Sequence, residues 1–344
     1  MAAEPAGGQR VTSGSHGVDR RVLVAVVIPY YQRTRGVLAG CVKSILAQEG
    51  PFDLQVVIVD DGSPLPAEED LRVAGCMDPR VRIVRQPNAG AGAARNKALD
   101  SVSPDTDYIA LMDSDDQWED SYLAVAVQAL NEGCDLFFSD SRRFSQNATR
   151  FRWEDDPRLN LRAEDHVLID AGQALYQYRG DFFDYAVRRS SIMSSSAMIY
   201  RRSVAPDLRF NEQLRNGQDR LFKLHLSRLV DRVAFSPRVL CVEGEGVNIF
   251  DSASWGTPKA LLLSSSYIDL AKAVRTELPL NEPQRKYVEG QLHAARENFV
   301  ANLANLLKRR VRFDWRLVAR TLCKDPAAIL TVFTLIGRVA FGRR

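Results

Sequence analysis

Apolar runs and amphipathic stretches alternate along most of this chain. Arg21 to Ile28 is almost wholly apolar and ends at Pro29, which predicts a buried strand. Between Gly36 and Gln48 the apolar residues Val37, Leu38, Cys41, Val42, Ile45 and Leu46 recur at helical spacing. A second strand, Leu54 to Val59, is stopped by Asp60-Asp61-Gly62-Ser63-Pro64, and Ala67 to Ala74 suits a short helix. A third strand at Val81 to Val84 leads through the glycine-rich Asn88 to Gly92 into a helix from Ala93 to Asp100. The run Tyr108 to Met112 reads as a further strand, Ser121 to Leu130 as a helix and Asp135 to Phe138 as a strand. Ser194 to Tyr200 and Val233 to Val242 have strand character, with a helix at Arg220 to Leu229 between them. From Pro258 the pattern turns helical, over Ala260 to Leu278 and Glu282 to Lys308. Strands alternating with helices predict an α/β fold with a mainly parallel central sheet, right-handed crossovers and a C-terminal helical extension. Residues 141–190 break the alternation. They carry many charges and the aromatics Trp153, Tyr176, Tyr178, Phe182, Phe183 and Tyr185.

Composition adds bounds to this picture. The 344 residues are 45% hydrophobic and 26% charged, an ordinary globular balance. The boundaries expected are a disordered tail over 1–20, an α/β domain over 21–250 and a helical region over 258–344. A net charge of +3 gives no overall nucleic-acid signal. Five scattered cysteines, with no Cys-x-x-Cys pair, speak against a disulfide framework or a zinc site and suit a reducing compartment. Residues 1–20 have no apolar core segment, so they read neither as a signal peptide nor as a membrane span.

The densest chemistry is Asp113-Ser114-Asp115-Asp116, at the end of the Tyr108 to Met112 run. Carboxylates at the C-terminal end of a strand stand where open α/β sheets bind ligands. Packed together they repel unless a cation joins them, and oxygen ligands favour Mg²⁺ or Mn²⁺. The same residues also make good turns and caps. The residues alone leave open which of Asp113, Asp115 and Asp116 would ligate, with Asp115 favoured.

Four further motifs follow in order with this one: Val27-Ile28-Pro29-Tyr30-Tyr31, Val59-Asp60-Asp61-Gly62-Ser63, Asn88 to Asn96 with Gly90, Gly92 and Arg95, and Asn216-Gly217-Gln218-Asp219. Together the five resemble a family 2 glycosyltransferase with the GT-A fold over residues 22–250, and within it the bacterial exopolysaccharide glucosyltransferases of the succinoglycan type. The resemblance implies a UDP-sugar donor, with glucose as the sugar, and a saccharide acceptor linked to undecaprenyl diphosphate. Pro29, Tyr30, Asp60 and Asp61 would meet the base and ribose. Asn88 would bind substrate as well, and Gly90 and Arg95 would serve its phosphates, where glycines let backbone approach and a helix start offers N–H groups. Asp113 and Asp115 would serve ribose and metal. Asp219 would be the catalytic base of a single, inverting displacement. Gln218 stands where the family usually has Glu, which puts in doubt any acceptor contact made by that residue.

Each motif has a plainer reading as well. Asp-Gly-Ser-Pro is turn chemistry, Arg95 could be a solvated helix residue, and Asp219 could be a helix cap. Two other enzyme classes fit less well. Dehalogenase-type phosphatases carry Asp-x-Asp near the N-terminus, and nucleotidyltransferases carry a basic glycine-rich loop where this chain has Pro29-Tyr30-Tyr31. A non-catalytic sugar-nucleotide binder or scaffold is the alternative from another class. At the C-terminus, Ala327 to Phe341 is apolar, too short to span a bilayer, and flanked by bases. It reads equally as a helix lying in the membrane interface or as one packing on the catalytic domain or on a second subunit of a homodimer. The location expected is cytoplasmic, at the inner face of the plasma membrane if the tail binds lipid.

Overall fold

The computed structural model describes residues 20–143, 148–152, 160–244 and 253–331. Its centre is one sheet, built in its first half from β1 (Val22–Tyr30), β2 (Phe52–Asp61), β3 (Val81–Gln86) and β4 (Tyr108–Leu111). These four pair in parallel, in the order β3-β2-β1-β4. Their near-continuous Val and Ile runs are what a strand covered on both faces requires. The helices between them are α1 (Val37–Leu46), α2 (Ala67–Val73) and α3 (Ala91–Leu99).

The second half is mixed. The short β5 (Gln117–Trp118) and α4 (Tyr122–Asn131) lead into β6 (Leu136–Arg143). After it come a hairpin of β7 (Val167–Asp170) and β8 (Leu175–Gln177), then α5 (Phe182–Arg189), β9 (Met198–Arg201), α6 (Gln218–Leu229) and β10 (Val233–Glu243). β9 lies antiparallel between β4 and β6, while β10 runs parallel to β6. The longer pairings are thus parallel, and the antiparallel ones are short. The sheet extends β4-β9-β6-β10-β8-β7, with β5 added on β10.

Strand alternation sorts the core into two faces. Val24, Val26, Ile28 and Tyr30 pack with α1, α2 and α4, whereas Ala25 and Val27 pack with α3, α5 and α6. A third cluster joins α5 and α6 to α7 (Pro258–Glu277), α8 (Glu282–Lys308) and α9 (Trp315–Lys324), through Val187, Leu221, Leu224, Ile268, Leu292 and Phe299. The C-terminal helices therefore share a core with the helix that carries Asp219. α8 starts on a capping box in which Asn281 and Gln284 satisfy each other's backbone N–H groups. No helix among the described residues is long and apolar enough to cross a membrane. Most of the apolar tail, from residue 332 on, lies outside the described residues, as do Trp153 and all but the last residue of the tail expected over 1–20.

Candidate active site

The chain reverses its winding direction at β1, with β2 on one side and β4 on the other. The crevice beyond the C-terminal ends of these strands is the usual ligand position in open α/β sheets. Here it is a cleft of about 1630 Å³, lined from Pro29 and Tyr31 through Asp61, Gly90, Arg95, Asp113 and Asp115 to Gln218 and Asp219. Residues far apart in sequence are thereby brought to one place.

The glycine-rich loop is tied to the end of β2. Asp61 accepts from Gln86 Nε2 and the Ala89 N–H with Oδ1, and from the Gly90 N–H with Oδ2, each at 2.8 Å. Asn88 donates its amide to the Asp61 carbonyl at 2.9 Å. This loop delivers α3, whose first N–H groups have no partner within the helix. Asp60 has a different place. Its two oxygens accept from the N–H groups of Ser63 and Ala67, so it builds the turn and caps α2 from within the protein. Tyr30 adjoins the cleft at the sheet edge but offers it no exposed ring. Its ring is fully buried with α1 and α2, because strand alternation puts it on the same face as Ile28. Tyr31, half-buried, lines the cleft beside it.

Arg95 is no solvated helix residue. It is buried, donates from Nη2 to Asp113 Oδ1 at 2.5 Å, and lies 5.3 Å from the centre of the Phe210 ring. Its Nε and Nη1 are buried without a hydrogen-bond partner among the described residues. Buried guanidinium hydrogens normally find acceptors, so this arrangement suits an anionic ligand in the cleft.

The acidic loop is held from beneath. Ser196 accepts the Asp113 N–H at 2.9 Å, and Asp116 Oδ1 accepts the Gly244 N–H at 2.8 Å. Asp116 is buried, and burial first, then Asp113 and Asp115, drives its pKa well above the usual carboxylate range. A Cβ on Gly244 would lie 2.1 Å from the Asp115 carbonyl oxygen, so only glycine lets β10 pass this close. Among the described residues no group of three His, Cys, Asp or Glu forms a closed metal cage. Asp113 and Asp115 both line the cleft, and their carboxylates fit Mg²⁺ or Mn²⁺, which are held by one or two carboxylates together with water and substrate phosphates.

Asp219 enters from α6. The helix cap is Gly217, at φ 80°, so Asp219 is not the cap and its carboxylate faces the cleft, 38% exposed. Lys223, one turn on, places Nζ 3.3 Å from Asp219 Oδ2. Burial pushes the Asp219 pKa up, but Lys223 and then Arg95 outweigh it and hold the carboxyl at about 2. Neighbouring Gln218 lines the same cleft, with its Oε1 buried and unpartnered among the described residues. Gly217 has positive φ, and a Cβ there would meet Leu270 of α7 at 2.6 Å. Gly217→Ala is therefore expected to cost about 2 kcal/mol or more through strain and overpacking. Thermal unfolding checks this, and an unchanged midpoint would show that the turn relaxes freely.

Three groups at this site carry no motif. Lys223 lies four residues after Asp219, a spacing that sequence alone could have offered. Glu243 ends β10, just as Asp61 ends β2. Arg150 has no such signal: it forms a two-pronged pair with Glu243, and only the fold brings them together.

A family model described as glycosyl transferase family 2 matches residues 25–209, more than half of the chain. Succinoglycan biosynthesis protein ExoW of Rhizobium meliloti is 28% identical over 309 residues, covering 89% of this chain and 95% of that protein. Putative teichuronic acid biosynthesis glycosyltransferase TuaG of Bacillus subtilis is 33% identical over 129 residues, 37% of this chain and 50% of its own. Among solved structures, TarS of S. aureus superposes with a TM-score of 0.54 at 14% identity, covering 82% of this chain and 81% of that one. The mannosyltransferase PcManGT of Pyrobaculum calidifontis, solved with GDP-Man and Mn²⁺, gives a TM-score of 0.53 at 17% identity, covering 95% and 89%. At these identities the structural likeness speaks for a shared fold, the GT-A arrangement of a mostly parallel sheet. Taken with the family match, it places this chain in glycosyltransferase family 2.

Proposed function

We propose that this chain is an inverting, metal-dependent transferase that moves glucose from UDP-glucose to a lipid-linked glycan during bacterial exopolysaccharide assembly. One observation carries the reading. A single cleft holds the Asp219 carboxylate, the Asp113 and Asp115 pair, and a buried guanidinium, Arg95, with two donor atoms that have no partner among the described residues. The donor's diphosphate would lie against Arg95 and the start of α3, where positive charge and free N–H groups converge. Pro29, Tyr31 and the Asp61 loop would flank its base. Mn²⁺ or Mg²⁺ held by Asp115 and Asp113 would neutralise charge developing on the departing UDP.

Asp219 accepts the proton of an acceptor hydroxyl as that oxygen bonds to the anomeric carbon and the bond to the diphosphate oxygen breaks. Glu243 is occupied by Arg150, so it is not placed as a covalent nucleophile. One displacement on an α-linked donor yields a β-linked product. Identity to a succinoglycan protein along most of both chains supports the exopolysaccharide role. The basic, apolar C-terminus supports a lipid-linked acceptor and a position at the inner face of the plasma membrane.

Titration of UDP into the protein with Mn²⁺, and again with EDTA, tests the metal. UDP affinity is expected to fall about tenfold or more on chelation, and Asp115→Ala should reproduce that loss. Equal affinity in both titrations would remove the metal. NMR of the product's anomeric proton tests inversion. Lack of any UDP-glucose hydrolysis or transfer with Mn²⁺ would favour the binder or scaffold alternative.

A further inference from the structure

Lys223 is the buried cation of the site that no motif announces. Its side chain is only 6% exposed, although lysine is rarely buried without a partner. Nζ donates to the Met193 carbonyl at 2.9 Å and sits 3.3 Å from Asp219 Oδ2. The Met193 bond fixes the ammonium from a different segment, between α5 and β9. A surface ion pair one helical turn apart would leave both side chains free to rotate, whereas this one is anchored at a third point.

We infer that Lys223 is the positioning residue of the base: its ammonium, clamped to the Met193 carbonyl, aims the Asp219 carboxylate into the cleft. The inference rests on Asp219 being the base. Several charged groups surround the pair. Arg95 faces Asp219 from α3, and Arg220 adjoins it on α6. Arg150 and Glu243 face Lys223 from the segment after β6 and from the end of β10. Tyr267 of α7 faces Arg220. Arg95 is the cation turned toward the diphosphate, and Arg150 is saturated by Glu243. Lys223 is thus the counter-ion that stays with Asp219 when donor is bound. Without it, burial acts on Asp219 against only Arg95 and the Arg220 backbone N–H, and the carboxyl takes up a proton at higher pH.

The test compares Lys223→Met, Lys223→Gln and Asp219→Asn by Mn²⁺-dependent UDP-glucose hydrolysis across pH. For Lys223→Met an acid limb of kcat should appear above about pH 4, where the wild type has none. Its kcat at neutral pH should fall about tenfold as the carboxylate loses its aim, with the KM for UDP-glucose within about twofold of wild type. In the Asp219→Asn background the same substitution should have no further effect, because the group it positions is gone. A folded Lys223→Met enzyme with wild-type kcat and no such acid limb overturns the inference. If Lys223→Met does not fold, Lys223→Gln, which keeps a donor for Met193 without the charge, is read by the same criteria. Near-normal turnover in Asp219→Asn overturns the assignment of the base itself. An inactive Asp219→Asn beside an unaltered Lys223 variant overturns only the role of Lys223.

Discussion

Asp219→Asn is expected to lower kcat by about 10²-fold or more while leaving donor bound. Asparagine has nearly the same shape, and its carbonyl can still accept from Lys223, so the start of α6 keeps its geometry. What it lacks is the capacity to take the acceptor proton. The change also removes a negative charge from a cleft that must hold a diphosphate, so UDP affinity should stay level or rise slightly. Steady-state kinetics and calorimetry on one preparation separate the two effects. Loss of rate together with loss of UDP binding would point to a disrupted site and not to a missing base. The carboxyl's low pKa, held at about 2 by Lys223 and Arg95 against burial, leaves it ionised throughout the working range. No acid limb from Asp219 is therefore expected in the wild-type enzyme above about pH 4.

Residues with strong local signals were legible in the sequence. The four parallel strands follow from apolar runs ended by Asp or Pro, and α8 spans Glu282–Lys308 as its spacing predicts. Asp61, Asp113, Asp115 and Asp219 reach one cleft because each ends a strand or begins a helix on the same edge of the sheet. Short elements were not legible. β5 has two residues and β8 three, too few to show a period. Ser194 to Tyr200 reads as a strand, yet pairing covers only Met198–Arg201. The preceding serines coil into a turn that lets Ser196 accept the Asp113 N–H. Tyr30 and Asp60 show what a motif leaves open. Their motifs mark the right loop, but which way a side chain points depends on strand register and on N–H groups a few residues away. Arg150 with Glu243 depends wholly on tertiary structure, since 93 residues separate the partners.

Glu243→Ala is expected to be the most destabilising substitution at the site. The Glu243 side chain is 11% exposed and that of Arg150 is 24% exposed, and both prongs of the guanidinium rest on the carboxylate. Ser141 Oγ adds a bond to Oε1 at 2.7 Å. Removing the carboxylate strands a mostly buried cation, which costs about 3 kcal/mol. It also loosens the end of β10, from which Gly244 steadies Asp116, so activity should fall with stability. Burial works against the ionised carboxyl, but Arg150 and Ser141 outweigh it and hold the Glu243 pKa at about 2, below the usual 4.5. A depressed folded-state pKa contributes stability that is complete above about pH 4.5 and disappears as pH falls toward 2. The gap in thermal midpoint between wild type and Glu243→Ala should therefore be full at pH 7 and narrower at pH 3. Glu243→Gln, which keeps an acceptor for Arg150 without the charge, should lie between them at pH 7. A gap of equal size at both pH values would mean that the side chain stabilises β10 by packing, and that its charge contributes nothing to the pair with Arg150.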